Sequence, residues 1–228
     1  MTATFTEQFV CLAKSRKNQG CCIAGKRLND GSWIRPVDDH IVSAFMPPLL
    51  HARYENGLVP KVLDIIEVPC VAPKPRDHQV ENVEIAYRAP WKKLGRASWE
   101  DVVALVDVGA DLWVNGHSST GKLNDRVPET VLDPTQGSLR LLQLDSLLLY
   151  RRHKKNKPCV QAHFEYQGEE YKLDVTDTRV EKEFLLSSVV SVEIPGPVVV
   201  CVSLGEVFNG FAYKLIAGVI LPKRQENS

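Results

Sequence analysis

Apolar and polar residues alternate in short runs along most of the chain, and this pattern predicts strands rather than long helices. Each run is bounded by turn residues. Prolines are frequent from Pro36 to Pro75, and because proline lacks a backbone N–H donor, these segments belong at strand ends, sheet edges and loops. The rhythm is typical of a β-barrel or β-sandwich. The strands predicted in the first half cover residues 9–13, 21–25, 33–37, 63–71 and 83–87.

One helix is predicted in the first half, near residues 98–107. Ser98 is a good N-cap residue, Glu100 and Asp101 place negative charge in the first turn, and valines and a leucine follow at apolar positions. We expect the helix to end before Gly109.

The second half begins with a leucine-rich segment, residues 138–150, that is compatible with two strands broken at 145–146 or with one buried helix. Residues 159–166 and 171–176 alternate around Gln167-Gly168 and predict a hairpin. A short helix is predicted over 180–186. Two β-branched runs, 198–204 and 213–221, predict the last strands, separated by residues 205–212.

The organisation of these elements predicts two small domains. A chain of 228 residues is long enough for two, and residues 114–125 have a loop composition followed by Pro128 and Pro134. We therefore predict a first domain over 1–136, with the helical insertion near 98–107, and a second domain over 137–228. Each has several strands and one helix, as in a small Greek-key barrel.

The charge of the chain gives no overall attraction to polyanions. Lys plus Arg and Asp plus Glu both number 28, so any affinity for nucleic acid must come from local clusters. The first ten residues lack the cationic and apolar regions of a secretory signal, and the apolar runs are far shorter than a bilayer span. We expect a cytoplasmic protein without a membrane partner.

Catalytic and metal-binding motifs are weak. The six cysteines include no C-x-x-C pair, and Cys21 and Cys22 would point to opposite faces of a strand, so we expect no metal and no cofactor. Residues 116–122 match the GxxxxGK part of a phosphate-binding loop, but Leu123 replaces the required hydroxyl residue and no helix pattern follows. The six histidines are scattered and no G-x-S-x-G elbow occurs. This favours a nonenzymatic protein, with a metal-dependent nuclease using Asp174, Asp177 or Glu206 as an alternative.

The cationic window from Lys14 to Arg35 is the most informative local feature, since only Asp30 opposes its six cations. If the strands 21–25 and 33–37 pair, the loops 15–20 and 26–32 would project these charges beside Trp33. Cations that follow phosphates and an aromatic ring that stacks on bases are the design of single-strand binding. The alternative is that Trp33 is a core residue and the cations form a solvated rim. The predicted contacts are Lys14, Arg16, Lys17, Lys26, Arg27, Trp33 and Arg35, with Arg126, Arg151, Arg152, Lys154 and Lys155 as secondary ones.

Several segments together resemble the dual OB-containing domain family over nearly the whole chain. They are CLAKSRKNQGCCIAGKRLNDGSWIRPV at the start, LWVNG and NDRV in the middle, YKLDVTD later, and VSLGE with YKLIAGVI at the end. The resemblance implies two OB-type barrels, and a role in nucleic-acid binding or sensing in prokaryotic conflict and defence systems. It implies no catalytic activity. The polar positions that match are Ser15, Arg16, Lys17, Arg35, Asn124, Asp125, Arg126, Thr176, Asp177, Ser203, Glu206 and Lys214.

The fold expected from pattern and resemblance is therefore mainly β with minor α, built as two small OB-like β-barrels. The leading functional hypothesis is a nonenzymatic protein that binds single-stranded DNA or RNA. A protein-interaction adaptor that docks onto a separate effector is the first alternative, because OB barrels also bind sugars, peptides and proteins.

Overall fold

A computed structural model describes residues 3, 5–17, 20–38, 52–154 and 156–222 of the chain. Within these residues the chain forms twelve strands, two α-helices and two short 3-10 turns. The strands are β1 (Phe5–Lys17), β2 (Gly20–Arg27), β3 (Trp33–Val37), β4 (Asp64–Pro73), β5 (Asn82–Ile85), β6 (Lys92–Arg96), β7 (Arg126–Pro128), β8 (Leu139–Lys154), β9 (Lys157–Tyr166), β10 (Glu169–Val175), β11 (Ser191–Phe208) and β12 (Phe211–Ile220). The helices are α1 (Trp99–Ala104) and α2 (Thr178–Leu186), and the 3-10 turns cover Glu129–Val131 and Pro134–Gln136.

The first five strands close into a barrel in the order β1-β2-β3-β5-β4, and β4 pairs back onto β1. The β3–β5 pair is parallel and the others are antiparallel. Strand β6 extends the sheet beyond β4. All five strands predicted in this half are present.

The second barrel repeats the same plan in the order β8-β9-β10-β12-β11, with β11 pairing back onto β8. Again one pair, β10–β12, is parallel. Strand β7 adds to the outer side of β12. Five-stranded Greek-key barrels of this kind are OB folds, so the mainly β fold with two OB-like barrels is confirmed.

The leucine-rich segment of the second half is a single strand, β8, and neither a helix nor two separate strands. It pairs with both β9 and β11, which supply hydrogen-bond partners on its two sides. The irregularity expected at 145–146 lies on the opposite strand, where the register shifts between Pro195 and Val198. Composition could not distinguish these cases, because an apolar leucine-rich run is compatible with a strand or with a buried helix.

Both predicted helices are present. Ser98 caps α1, accepting a hydrogen bond from the Asp101 amide while the Asp101 carboxylate accepts one from the Ser98 amide. Helix α2 begins two residues earlier than predicted, because Asp177 is its N-cap and accepts hydrogen bonds from the amides of Arg179 and Val180.

Three apolar clusters hold the molecule together. One fills the first barrel, one fills the second, and the third lies between the barrels. The third cluster packs β1 and β2 against β8, β11 and β12, so the two barrels are joined by a continuous core. Its buried members are Val10, Leu12, Ala13, Ala24, Ala97, Val102, Leu139, Leu141, Val199, Cys201, Ala217 and Ile220.

The domain boundary near Gln136 stays a prediction. Strand β7 precedes it in sequence yet hydrogen-bonds to β12, and Leu112, Trp113 and Val127 pack into the core of the second barrel. The chain thus contributes to the second barrel from residue 112 onwards.

The backbones of β1 and β12 approach very closely at Gly218. A Cβ atom at this position would lie 2.2 Å from the carbonyl oxygen of Leu12, so we expect Gly218→Ala to force the barrels apart and lower the free energy of unfolding by about 1–3 kcal/mol. Chemical denaturation would measure the loss. The matched control is Gly95→Ala, where the nearest atom to an added Cβ is 3.7 Å away; equal stability of the two variants would contradict the close approach.

Candidate nucleic-acid interface

Two of the predicted phosphate-binding cations are buried and link the barrels instead. The Arg35 guanidinium, only 5% exposed, lies 2.8 Å from the Glu81 carboxylate and donates to the Ser138 hydroxyl of the second half at 2.8 Å. The Lys26 ammonium donates to the Asp107 carboxylate and to the Leu105 carbonyl at 2.7 Å. These side chains are held inside the protein.

Trp33 belongs to the interface between the barrels. Its Nε1–H donates to Asp107 at 3.1 Å, the Lys26 ammonium lies 5.4 Å from its ring centroid, and it packs against the cluster between the barrels. The same Asp107 carboxylate accepts a hydrogen bond from the Leu141 amide of β8. Trp33 is therefore half-buried, with a hydrogen bond at its indole N–H and a cation–π contact between its ring and Lys26.

The remaining N-terminal cations lie in strands, and the predicted loops 15–20 and 26–32 begin later than expected. The predicted loop bounds were wrong because β1 runs to Lys17 and β2 to Arg27; the assignment of these cations to nucleic acid stays a prediction. Arg16 makes a two-pronged ion pair with Glu181 of α2, Lys17 pairs with Glu206 at 3.1 Å, and Arg27 pairs with Glu7 at 2.9 Å. Each of these three cations already has a carboxylate partner.

Arg126 and the described cations of the second run also have partners within the protein. Arg151 caps the C-terminal end of α2 by donating to the carbonyls of Phe184 and Ser187, and Arg152 donates to the Gly121 carbonyl. Arg126 lies with its guanidinium 4.1 Å from the centroid of the Phe211 ring. The side chain of Lys154 and the whole of Lys155 lie outside the described residues. The assignment of these cations to nucleic acid stays a prediction.

A large groove runs between the barrels on one side of the β1–β2 hairpin, with a volume of about 970 Å³. We call it the inter-barrel groove. Its walls come from β1, the segment that precedes β4, the end of β6, the start of α1, the start of α2 and the end of β12. Its charged and aromatic members are Lys14, Lys61, Arg96, Arg179, Trp99, Glu100 and Asp177.

Cations dominate the solvent-facing side of this groove. Lys61 is exposed, and the side chains of Arg96 and Arg179 are both 51% exposed. Of the two carboxylates, Asp177 is fully buried and accepts hydrogen bonds from backbone amides, including that of Val219. Asp177 lies 3.8 Å from Arg179, and Asp64, just outside the lining, lies 3.9 Å from Arg96. The lining still has four cations against two carboxylates, so it carries net positive charge.

Sequence reasoning predicted Lys14 but missed the other groove residues. Lys14 donates to the Pro60 carbonyl at 2.9 Å, and an ammonium has three donors, so it can still contact an anion. Lys61, Arg96 and Arg179 come from three segments far apart in the sequence, none of which belongs to the N-terminal cationic window. Only the packing of the two barrels brings them together.

A smaller cleft of about 280 Å³ lies on the other side of the same hairpin. We call it the hairpin cleft, because it is lined by the β1–β2 hairpin of one barrel and the β11–β12 hairpin of the other. Seven of the twelve polar positions that carry the family resemblance line it. They are Ser15, Arg16, Lys17, Arg35, Thr176, Ser203 and Glu206.

The β11–β12 hairpin gives this cleft its aromatic wall. Side chains alternate along a strand, so Glu206 and Phe208 share one face while Lys214 and Ala212 face the barrel interior. The strands continue through most of residues 205–212, predicted as a separating segment, and turn only at Asn209-Gly210, where both residues have positive φ. Phe208 is thereby carried to the exposed tip.

The carboxylates considered for metal-dependent cleavage lie apart and have other partners. Asp174 pairs with Lys122 at 2.7 Å, Asp177 caps α2, and Glu206 pairs with Lys17. In the described part of the chain no group of three or more His, Cys, Asp or Glu side chains is placed to hold a metal ion. Lys122 of the GxxxxGK match is thus bonded to Asp174 of β10. The matched segment is a surface turn held against this strand.

Lys214 is a fully buried lysine that the sequence did not mark as unusual. Its ammonium donates to the Val114 carbonyl at 3.0 Å and to the Asn115 side chain at 2.8 Å, and lies 5.3 Å from the centroid of the Tyr171 ring. Burial away from water lowers its pKa to about 7, and the neighbouring Asp125 opposes this only in part. It holds the start of the loop that leads to β7.

The chain matches the model of a known protein family. The model of the dual OB-containing domain matches residues 7–219. The chain belongs to this family. OB domains of many kinds bind oligonucleotides.

The chain was also compared with curated proteins and with solved structures. No curated protein matches the chain. Among solved structures, the tetrameric p202 HIN2 is similar at 10% identity and a TM-score of 0.33, with 97% of this chain and 96% of that chain covered. A TM-score of this size does not establish a common fold. No helix in the described residues is long and apolar enough to cross a membrane.

Proposed function

We propose that this protein is a nonenzymatic nucleic-acid-binding protein that holds a single strand in the inter-barrel groove. The observation that carries the proposal is the convergence of Lys14, Lys61, Arg96 and Arg179, from four separate segments, on one open groove. Electrostatic contact with phosphates supplies most of the sequence-independent affinity for nucleic acid. The family resemblance adds a setting, namely a sensor in a prokaryotic defence system that acts in the cytoplasm.

The groove also offers a surface for a base. Trp99 is half-buried in its lining at the first residue of α1, where the capped N-terminus fixes the backbone. An aromatic ring beside a row of cations is the arrangement that proteins use to bind single strands without sequence preference. A volume of about 970 Å³ accommodates more than one nucleotide.

Of the N-terminal cations, only Lys14 lines the inter-barrel groove. Lys14 contacts the strand directly. Lys26 and Arg35 act by holding the barrels together, because both are buried and paired with carboxylates. Arg16 lines the hairpin cleft rather than the groove and is paired with Glu181, so the groove site does not include it.

The direct test is the double variant Lys61→Glu/Arg96→Glu. We expect it to weaken binding of a labelled single-stranded oligonucleotide at least about 100-fold at low salt, because two attractive charges become repulsive. For the wild type, four phosphate contacts give a slope of about −3 in log affinity against log salt. Fluorescence anisotropy over a salt series measures both quantities.

The control variant, Arg88→Glu/Lys157→Glu, makes the same change in net charge at two exposed positions outside the groove. Its affinity should stay within a few-fold of the wild type. Equal losses in the two double variants, or binding that is insensitive to salt, would reject the groove as the binding site. DNA and RNA strands run in parallel would show which of them the protein prefers.

A further inference from the structure

The cations of the hairpin cleft are paired more closely with carboxylates than Arg96 and Arg179 of the inter-barrel groove, which lie 3.9 Å from Asp64 and 3.8 Å from Asp177. The three cations of the cleft are each bonded to a carboxylate: Lys17 to Glu206, Arg35 to Glu81, and Arg16 to Glu181. Glu206 itself lines the cleft. A phosphate would meet this carboxylate and cations that are already neutralised, so the cleft is suited to an uncharged group.

The walls of the cleft are aromatic and polar. Phe208 is 57% exposed, although a large apolar side chain is normally buried, and Tyr213 lines the cleft beside it. The cleft is also lined by groups that both donate and accept hydrogen bonds, among them the hydroxyls of Ser15 in the first barrel and Ser203 in the second. A flat ring with donors and acceptors on its edge can stack on the aromatic side chains and form hydrogen bonds with the polar groups at the same time.

The size of the cleft sets a limit on its occupant. A volume of about 280 Å³ is at the lower end of the range for small-molecule sites. It admits a single base with its sugar rather than a run of nucleotides. The cleft also lies across the β1–β2 hairpin from the groove, because Lys14 faces one side and its neighbour Ser15 the other.

We propose that the hairpin cleft binds one unstacked nucleobase, with its ring against Phe208 and Tyr213 and its edge against Glu206 and Lys17. The occupant is either a free nucleoside or one base of a strand that passes over the hairpin from the groove. In the second case the inference rests on the proposed function. In the first case it stands independently of it.

The ion pair of Lys17 and Glu206 gives the cleft a preference among bases. A carboxylate has about four acceptor positions, so Glu206 can keep Lys17 and also accept a hydrogen bond from an exocyclic amino group. Glutamate accepts in this way from the amino group of cytosine. Uracil presents a carbonyl oxygen at that position, which the carboxylate repels, so we expect cytosine to bind better than uracil.

The test uses cytidine and uridine, which carry no phosphate. Titration calorimetry or ligand-observed NMR on the full chain should show cytidine binding about tenfold or more tightly than uridine. Phe208→Ala should weaken cytidine binding at least about tenfold, since stacking on one aromatic ring contributes that much. Glu206→Gln should narrow the difference between the two nucleosides, because an amide can pair with either edge.

Two controls separate the outcomes. Tyr87→Ala removes an exposed aromatic ring of the first barrel that lies outside both clefts, and it should leave cytidine binding unchanged. Lys61→Glu/Arg96→Glu should also leave it unchanged, because the groove cations do not contact a neutral nucleoside. Strand binding that is lost in this double variant while nucleosides still bind would identify two separate sites.

If free nucleosides do not bind, the same variants are measured on oligonucleotides of cytosine or of uracil. A loss caused by Phe208→Ala, confined to the cytosine strand, supports a base in the context of a strand. No nucleoside binding together with no effect of Phe208→Ala on either strand overturns the inference. Strand binding that still depends on Lys61 and Arg96 would leave the proposed function intact.

Discussion

Replacing Glu81 by alanine is expected to lower the free energy of unfolding by about 3–5 kcal/mol. The substitution leaves the Arg35 guanidinium, only 5% exposed, without its carboxylate partner at 2.8 Å, and breaking one side of a buried ion pair costs about this much. The pair also spans the barrels, since Glu81 accepts hydrogen bonds from the amide and hydroxyl of Ser138. Urea denaturation followed by tryptophan fluorescence measures the loss.

The matched test is the double variant Arg35→Met/Glu81→Leu, which removes both charges and keeps the volume. Because an apolar pair has no buried charge left unpaired, the double variant should be more stable than Glu81→Ala alone. The single variants Arg35→Met and Glu81→Leu complete the comparison. If their losses of unfolding free energy add up to the loss of the double variant, the two side chains are not coupled and the explanation fails. The ion pair of the exposed Lys92 with Glu67 is the surface comparison, and Lys92→Met should lower stability far less than Glu81→Ala does.

The second large effect is a dependence of stability on pH that comes from Lys214. Its pKa is about 7 in the folded protein, against the ordinary value near 10.5. Below pH 7 both the folded and unfolded states carry the proton, and the cost of the buried charge is fully present. Between pH 7 and about 10 the folded state has released the proton and the unfolded state has not. Stability therefore rises with pH over this range.

The size of this effect follows from the pKa difference. The gain approaches about 1.4 kcal/mol per pH unit, or roughly 4 kcal/mol between pH 7 and pH 10. It should appear as the difference between the wild type and Lys214→Met in unfolding free energies measured at each pH, since other titrations are common to both. Lys182→Met, which removes an exposed lysine of α2, should show no such difference from the wild type. If the difference in unfolding free energy between the wild type and Lys214→Met did not change with pH, this would contradict a lowered pKa of Lys214.

Local sequence was sufficient for most of the secondary structure. The capping pair of Ser98 and Asp101 gave α1 a definite start, and the Gln167-Gly168 turn defined the β9–β10 hairpin, with positive φ at both residues. These features depend on residues close together in the chain, where turn and cap chemistry acts directly. The length of β8 was not predictable in this way, because its conformation is fixed by pairing with β9 and β11.

What the sequence by itself determined is most of the strands, the duplicated barrel plan and membership of the dual OB-containing domain family. The short edge strands β6 and β7 were not predicted, and composition did not distinguish a strand from a helix for β8. What only the tertiary structure decided is the environment of each charge. Lys26 and Arg35 belong to one sequence cluster with Lys14, yet they are buried in ion pairs while Lys14 reaches the groove. Whether a cation faces water depends on which carboxylates the packing of the two barrels places beside it, and those carboxylates, Asp107 and Glu81, come from distant parts of the chain.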